Sequence, residues 1–203
     1  MKYTIISGTG RAGTTLLTKI LTRAGLDTGF ALDHPVDPVA HAGWERMIGE
    51  RPGHRIIKSP WIALELDRVL AEGDVSIEHA ILCIRDLHSA AESRRRVQVI
   101  RGVETMVAGG LWETKDPEKQ EEVLAGIFYS LVHTLSVHEV PMTFLHFPRF
   151  AEDSEYAIRK LLPIFPEVGR DVWLSAMQAE VRRELIHRYP ATLAPVLAAD
   201  IPS

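Results

Sequence analysis

The chain has 203 residues, of which 46% are apolar and 25% charged, with a formal net charge of −4. That length supports one sizeable core, so a single domain over 1–203 is expected. The acidic balance argues against non-specific nucleic-acid binding, and Cys83, the only cysteine, excludes an internal disulfide. No stretch is apolar for long enough to span a membrane, and the first apolar run is too short for a signal sequence. A cytoplasmic protein is therefore expected.

Lys2 to Ser7 reads as a buried parallel strand carrying Tyr3, Ile5 and Ile6. Thr14 to Ala24 reads as a helix, with Leu16, Leu17, Ile20 and Leu21 at helical spacing and Gly25 as its stop. Two prolines, Pro35 and Pro38, make 33–38 a loop, and Asp37 is placed to cap a helix running from Pro38 to about residue 50. His54 to Lys58 is a second strand, Trp61 to Ala71 a helix, and Glu78 to Ile84 a third strand followed by a helix from about Leu87. Glycines weaken the pattern over 101–116, where a mobile loop or a lid is expected. Pro117 opens a long helix to about His138, striped by Leu124, Ile127, Phe128, Leu131 and Leu135. Met142 to Phe147 is a fourth strand. Ala157 to Ile164 and Val172 to Tyr189 read as amphipathic helices, and the tail from Pro190 as loosely packed. Strands alternating with helices predict an α/β fold: a parallel central sheet flanked by helices in three layers.

The most informative stretch joins the first strand to the first helix: Gly8, Thr9, Gly10, Arg11, Ala12, Gly13, Thr14 and Thr15. Its glycines permit a curl in which successive backbone N–H groups converge on an anion. The following helix adds free N–H groups and its positive dipole end. Arg11 adds charge and the threonines add hydroxyls. Gly8, Gly13 and Thr15 match the nucleotide P-loop pattern, but Thr14 stands where that pattern has lysine. The stretch resembles the 5′-phosphosulfate loop of sulfotransferases that use 3′-phosphoadenosine 5′-phosphosulfate. A second match lies at the end of the third strand, where Arg85 is followed eight residues later by Ser93. In that family an Arg and a Ser in this order and spacing hold the 3′-phosphate of the donor.

The resemblance implies a P-loop fold. It also implies transfer of a sulfuryl group to a hydroxyl or amine acceptor, which could be a small molecule, a sugar or a peptide. The product left behind would be 3′,5′-ADP, and no metal is required. It covers about Lys2 to Pro166 in outline. Lys58, at the end of the second strand, corresponds to a lysine that contacts the transferred group. The base that follows that lysine in the cytosolic branch is missing, since Ser59 and Pro60 stand there. His34 and Asp33 are the candidates for that base, with His41 and Glu45 further along. His54, His88 and His133 read as structural or surface residues. The G-x-x-G-x-x-K segment that closes the cofactor site in many sulfotransferases is absent, and the 101–116 loop or another basic residue is the candidate replacement. Trp44, Trp61, Met106 and Trp112 are candidates for an acceptor wall, although tryptophans at helical spacing are commonly core.

Two rival readings remain. Asp86, after an apolar strand, suits the Mg²⁺ carboxylate of a small-molecule kinase with an atypical P-loop. A non-catalytic nucleotide-binding protein would keep the loop without a base. Arg94, Arg95 and Arg96 fan around the helix and are expected mainly as a solvated face, with at most one or two toward a ligand.

Overall fold

The computed structural model describes residues 2–49, 53–102 and 107–189. The expectations for Met106, for the start of the turn after residue 50 and for the tail from Pro190 fall outside them. Four parallel strands form the sheet: β1 (Lys2–Gly8), β2 (Ile56–Lys58), β3 (Ser76–Ile84) and β4 (Met142–His146), in the order β2-β1-β3-β4. In register, Ile5 lies between Ile57 and Ala80, and Leu82 faces Phe144. Because every strand runs the same way, all carboxyl ends meet at one edge. The strand order reverses at β1, so the crevice beyond β1 and β3 is where an open α/β sheet offers a site.

Side chains of β1 and β3 alternate between two apolar layers, as a strand period of two requires. Ile6, Ile81 and Cys83 pack against α1 (Thr14–Arg23), α5 (Arg149–Glu152), α6 (Ser154–Leu161) and α7 (Arg170–Glu180). Tyr3, Ile5, Ala80 and Leu82 pack against α2 (Ile62–Ala71) and α4 (Gln120–Val137). The expected stripe on α4 is present, with Leu124, Leu131 and Leu135 fully covered. Between β3 and α4 runs α3 (Leu87–Arg101), which meets α4 through Ala90, Ala91, Trp112 and Leu124. This is the expected α/β architecture, with the sheet as the middle layer. No described helix is long and apolar enough to cross a membrane.

Two expected helices differ. Asp37 does cap a turn, accepting from Val39 N (2.9 Å) and Ala40 N (2.7 Å), but 41–47 has no regular structure. His41 and Trp44 take left-handed backbone angles. The carbonyls that a helix would use internally are taken from outside: Ala40 O by Arg11, and Gly43 O by Thr15 and Lys58. Trp44 is buried, stacked on Phe30, and its Nε1 donates to His34 O (3.0 Å). The last helix was expected to reach Tyr189, but α7 ends at Glu180. Beyond it the chain is extended apart from one 3₁₀ turn at Arg183–Leu185. An extended chain covers about twice the distance of a helix per residue. His187 O and Tyr189 O thereby reach Arg85 and Ser89, which donate to them.

Candidate functional site

Backbone crowding shapes the turn after β1. Gly8 lies against β3 so closely that a Cβ would fall on the Cys83 carbonyl, and Thr9 N donates to that carbonyl at 3.2 Å. Gly10, Arg11 and Gly13 then take φ of 71°, 50° and 79°. At Gly13 a side chain would also meet Phe147 and Phe150. Among the described residues, no backbone N–H from Gly10 to Leu16 donates to another group, and α1 starts without a side-chain cap. The curl therefore presents a row of free donors at the positive end of a helix.

Arg11 is the non-glycine residue in this left-handed run, a conformation that costs about 1–2 kcal/mol. Its side chain offsets that cost by anchoring the loop. Nε donates to Ser93 Oγ (3.0 Å), and Nη1 donates to Ala40 O. Arg85 Nη1 donates to Arg11 O (3.0 Å), and its guanidinium lies between the Phe147 and Tyr189 rings at 5.3 and 5.7 Å. The structure thus brings Arg11, Arg85 and Ser93 into one linked group, although they come from two distant stretches of sequence. Burial and the neighbouring Arg85 lower the pKa of Arg11; burial lowers that of Arg85.

A cavity of about 840 Å³ opens over this group. Gly10, Arg11, Gly13, Thr14, Thr15, Lys58, Arg85 and Ser93 line it, whereas Gly8, Thr9 and Ala12 are buried beneath the loop. Thr15 Oγ1 donates to Gly43 O (3.2 Å), and the Thr9 hydroxyl donates to Gly10 O (3.4 Å). Lys58 is almost wholly covered, and its Nζ donates to Gly43 O (2.9 Å) and to Glu45 Oε1 (2.8 Å). Burial lowers the Lys58 pKa, and Glu45 partly restores it.

The two candidate bases part company. His34 lines the cavity with its ring against Phe30 (5.0 Å) and Trp44 (5.8 Å). Asp33 is exposed and takes no part in the lining. Glu45 is the carboxylate that the fold carries to Lys58. Trp44, Trp61 and Trp112 all line the cavity, and the last two meet edge-on at 5.7 Å. His54 pairs with Asp27, His88 with Glu121, and His133 stacks on Tyr129.

The arginine triplet divides sharply. Arg95 reaches Pro117 O and Glu121. Arg96 lines the cavity and lies over the Tyr189 ring. Arg94 is 7% exposed and lines the cavity too, so two of the three face the site, the most that was expected, and only Arg94 departs from a solvated face. The signal available in sequence was its place one residue after Ser93. What hid it was that helix rotation alone does not say which way α3 faces.

No family model matches the chain, and no curated protein matches it.

Proposed function

We propose that the protein is a sulfotransferase with a P-loop fold, moving a sulfuryl group from 3′-phosphoadenosine 5′-phosphosulfate to a hydroxyl or amine acceptor. One observation carries this reading. Seven Lys or Arg residues and three acidic ones line the cavity, in a chain whose net charge is −4. Each acid is already paired: Asp37 with Arg101, Glu45 with Lys58, and Glu180 with Arg23. Arg11, Arg85 and Arg94 have no carboxylate partner among the described residues. A concave, cation-rich site of this kind suits a polyanion.

The residues fit the donor. Arg11 and Arg85 are bonded only to neutral carbonyls and a hydroxyl, which an anion would outcompete through charge-assisted bonds. The loop 10–15 would hold the phosphosulfate, and Arg85 with Ser93 the 3′-phosphate. The bound donor supplies a sulfuryl group activated by a phosphate leaving group. Lys58 and Arg11 place positive charge where that leaving group gains negative charge. Glu45, open to water and facing the cavity, accepts the acceptor's proton, a role the sequence directed to His34 or Asp33. The kinase reading draws on Asp86, but that carboxylate caps α3 by accepting from Ser89 N at 2.8 Å.

Calorimetric titration with 3′,5′-ADP, beside ATP and ADP with and without Mg²⁺, tests the proposal. Metal-independent binding of 3′,5′-ADP is expected, weakened about tenfold or more by Arg85→Ala. Preference for ATP with Mg²⁺ would overturn it, and so would binding of none of the three.

A further inference from the structure

Arg94 is, with Lys58, one of the two buried cations in the cavity wall. Nη1 donates to Gly110 O at 2.8 Å, and the guanidinium lies over the Trp112 ring at 4.9 Å. Nη2 fills the space that a side chain at residue 10 would need, so it stands directly behind the loop at Gly10. Nε is buried with no hydrogen-bond partner. Among the described residues no carboxylate forms an ion pair with it. Burial and the adjacent Arg11 push its pKa down to about 9, with Glu45 opposing weakly, so it is charged at neutral pH.

A buried charge with neutral partners and one orphaned donor is costly unless an anion completes it. The shape of the loop makes the same point. Thr14 stands at the position where a nucleotide loop carries its lysine, and a threonine brings no charge. Arg94 reaches the loop from the other side, through the one face that glycine leaves bare.

We propose that Arg94 is the loop's missing cation: with Lys58 it makes the Gly10–Thr15 end of the cavity a site for an anhydride with two linked anionic centres, phosphosulfate or inorganic pyrophosphate, in preference to a single phosphate or sulfate. The identity of the natural ligand rests on the sulfotransferase reading; the anion site does not. A planar guanidinium stacked on Trp112 is fixed in direction, which suits two neighbouring oxygens of such a group better than a flexible ammonium.

The test is metal-free calorimetry with inorganic pyrophosphate and with inorganic phosphate, on the wild-type chain, Arg94→Met and Arg94→Lys. Wild type should bind pyrophosphate more tightly than phosphate. Arg94→Met should lose about tenfold or more in pyrophosphate affinity, the loss of a charge-assisted bond, and Arg94→Lys clearly less. If the Met variant does not fold, Arg94→Gln, a shorter neutral amide that can still hydrogen-bond, takes its place. Pyrophosphate binding unchanged in the neutral variants would overturn the inference, as would wild-type binding no tighter than that of phosphate. Arg94-dependent pyrophosphate binding without any binding of 3′,5′-ADP would keep this inference and sink the sulfotransferase reading. Binding of 3′,5′-ADP with an Arg94-independent pyrophosphate affinity would do the reverse.

Discussion

Removing either half of the Lys58–Glu45 pair should have unequal consequences. The Lys58 side chain is 3% exposed and the Glu45 side chain 36%, with 2.8 Å between Nζ and Oε1. Coulomb attraction at that separation has a ceiling of about 6 kcal/mol for an effective dielectric near 20. Water on the open side of Glu45 reduces the net value to about 1–3 kcal/mol. Glu45→Gln strands a buried ammonium and should lose that amount. For a chain of this length the loss lowers Tm by about 2–12 °C. Lys58→Met leaves only a carboxylate that water can solvate, and Gly43 O keeps its bond from Thr15 Oγ1. It should change stability by about 1 kcal/mol or less.

The pH dependence gives a second readout. Burial lowers the folded-state pKa of Lys58 below its ordinary value. Between that lowered value and the unfolded value near 10.4 the unfolded chain binds more protons, so this group makes stability rise with pH. In Glu45→Gln the rise should begin at lower pH, and in Lys58→Met it should vanish. Thermal melts from pH 7 to 10, in low salt without phosphate or sulfate, measure both effects. A Lys58→Met protein that melts below Glu45→Gln, or a Glu45→Gln protein that melts like wild type, would refute the reasoning.

Two further outcomes follow from packing. Gly13→Ala forces a side chain into a left-handed position against Phe147 and Phe150, at 2.7 and 2.9 Å. Left-handed strain and overpacking together should cost about 2–5 kcal/mol, read as a lower urea midpoint; an unchanged midpoint would contradict the loop geometry. Burial pushes the Cys83 thiol up to about 12, so iodoacetamide at pH 8 should leave the folded protein unmodified and label it only after denaturation, as judged by intact mass. Labelling at the same rate in both states would show that β3 is not enclosed as described.

Much of this molecule was legible from local pattern. β1, α1, β3 and α4 announce themselves because period-two and period-3.6 burial is written directly into residue order. The turn at Gly8–Gly13 was equally clear, since positive φ at Gly10 and Gly13 needs glycine, and the sequence supplies it there. Arg85 and Ser93 were paired through the resemblance to sulfotransferases, and the folded chain links both of them to Arg11.

What only the tertiary structure decided concerns groups whose partners lie far away in the chain. The 38–47 segment carried helix signals, yet Arg11, Thr15 and Lys58 take its carbonyls, so it winds around the site as irregular chain. That diversion places Glu45 against Lys58. Which of the three arginines turns inward was also left to the fold, because nothing in α3's own sequence reveals that Gly10, Trp112 and Gly110 close over Arg94. Beyond Glu180 a helical pattern gave way to an extended chain, because the Arg85 guanidinium and the Ser89 hydroxyl are donors that the backbone of 187–189 can satisfy. The sequence by itself determined the α/β frame and the glycine turn, which depend on neighbours a few residues apart. The partners of the buried charges depend on desolvation and on contacts across the sheet edge, and only the folded chain sets those.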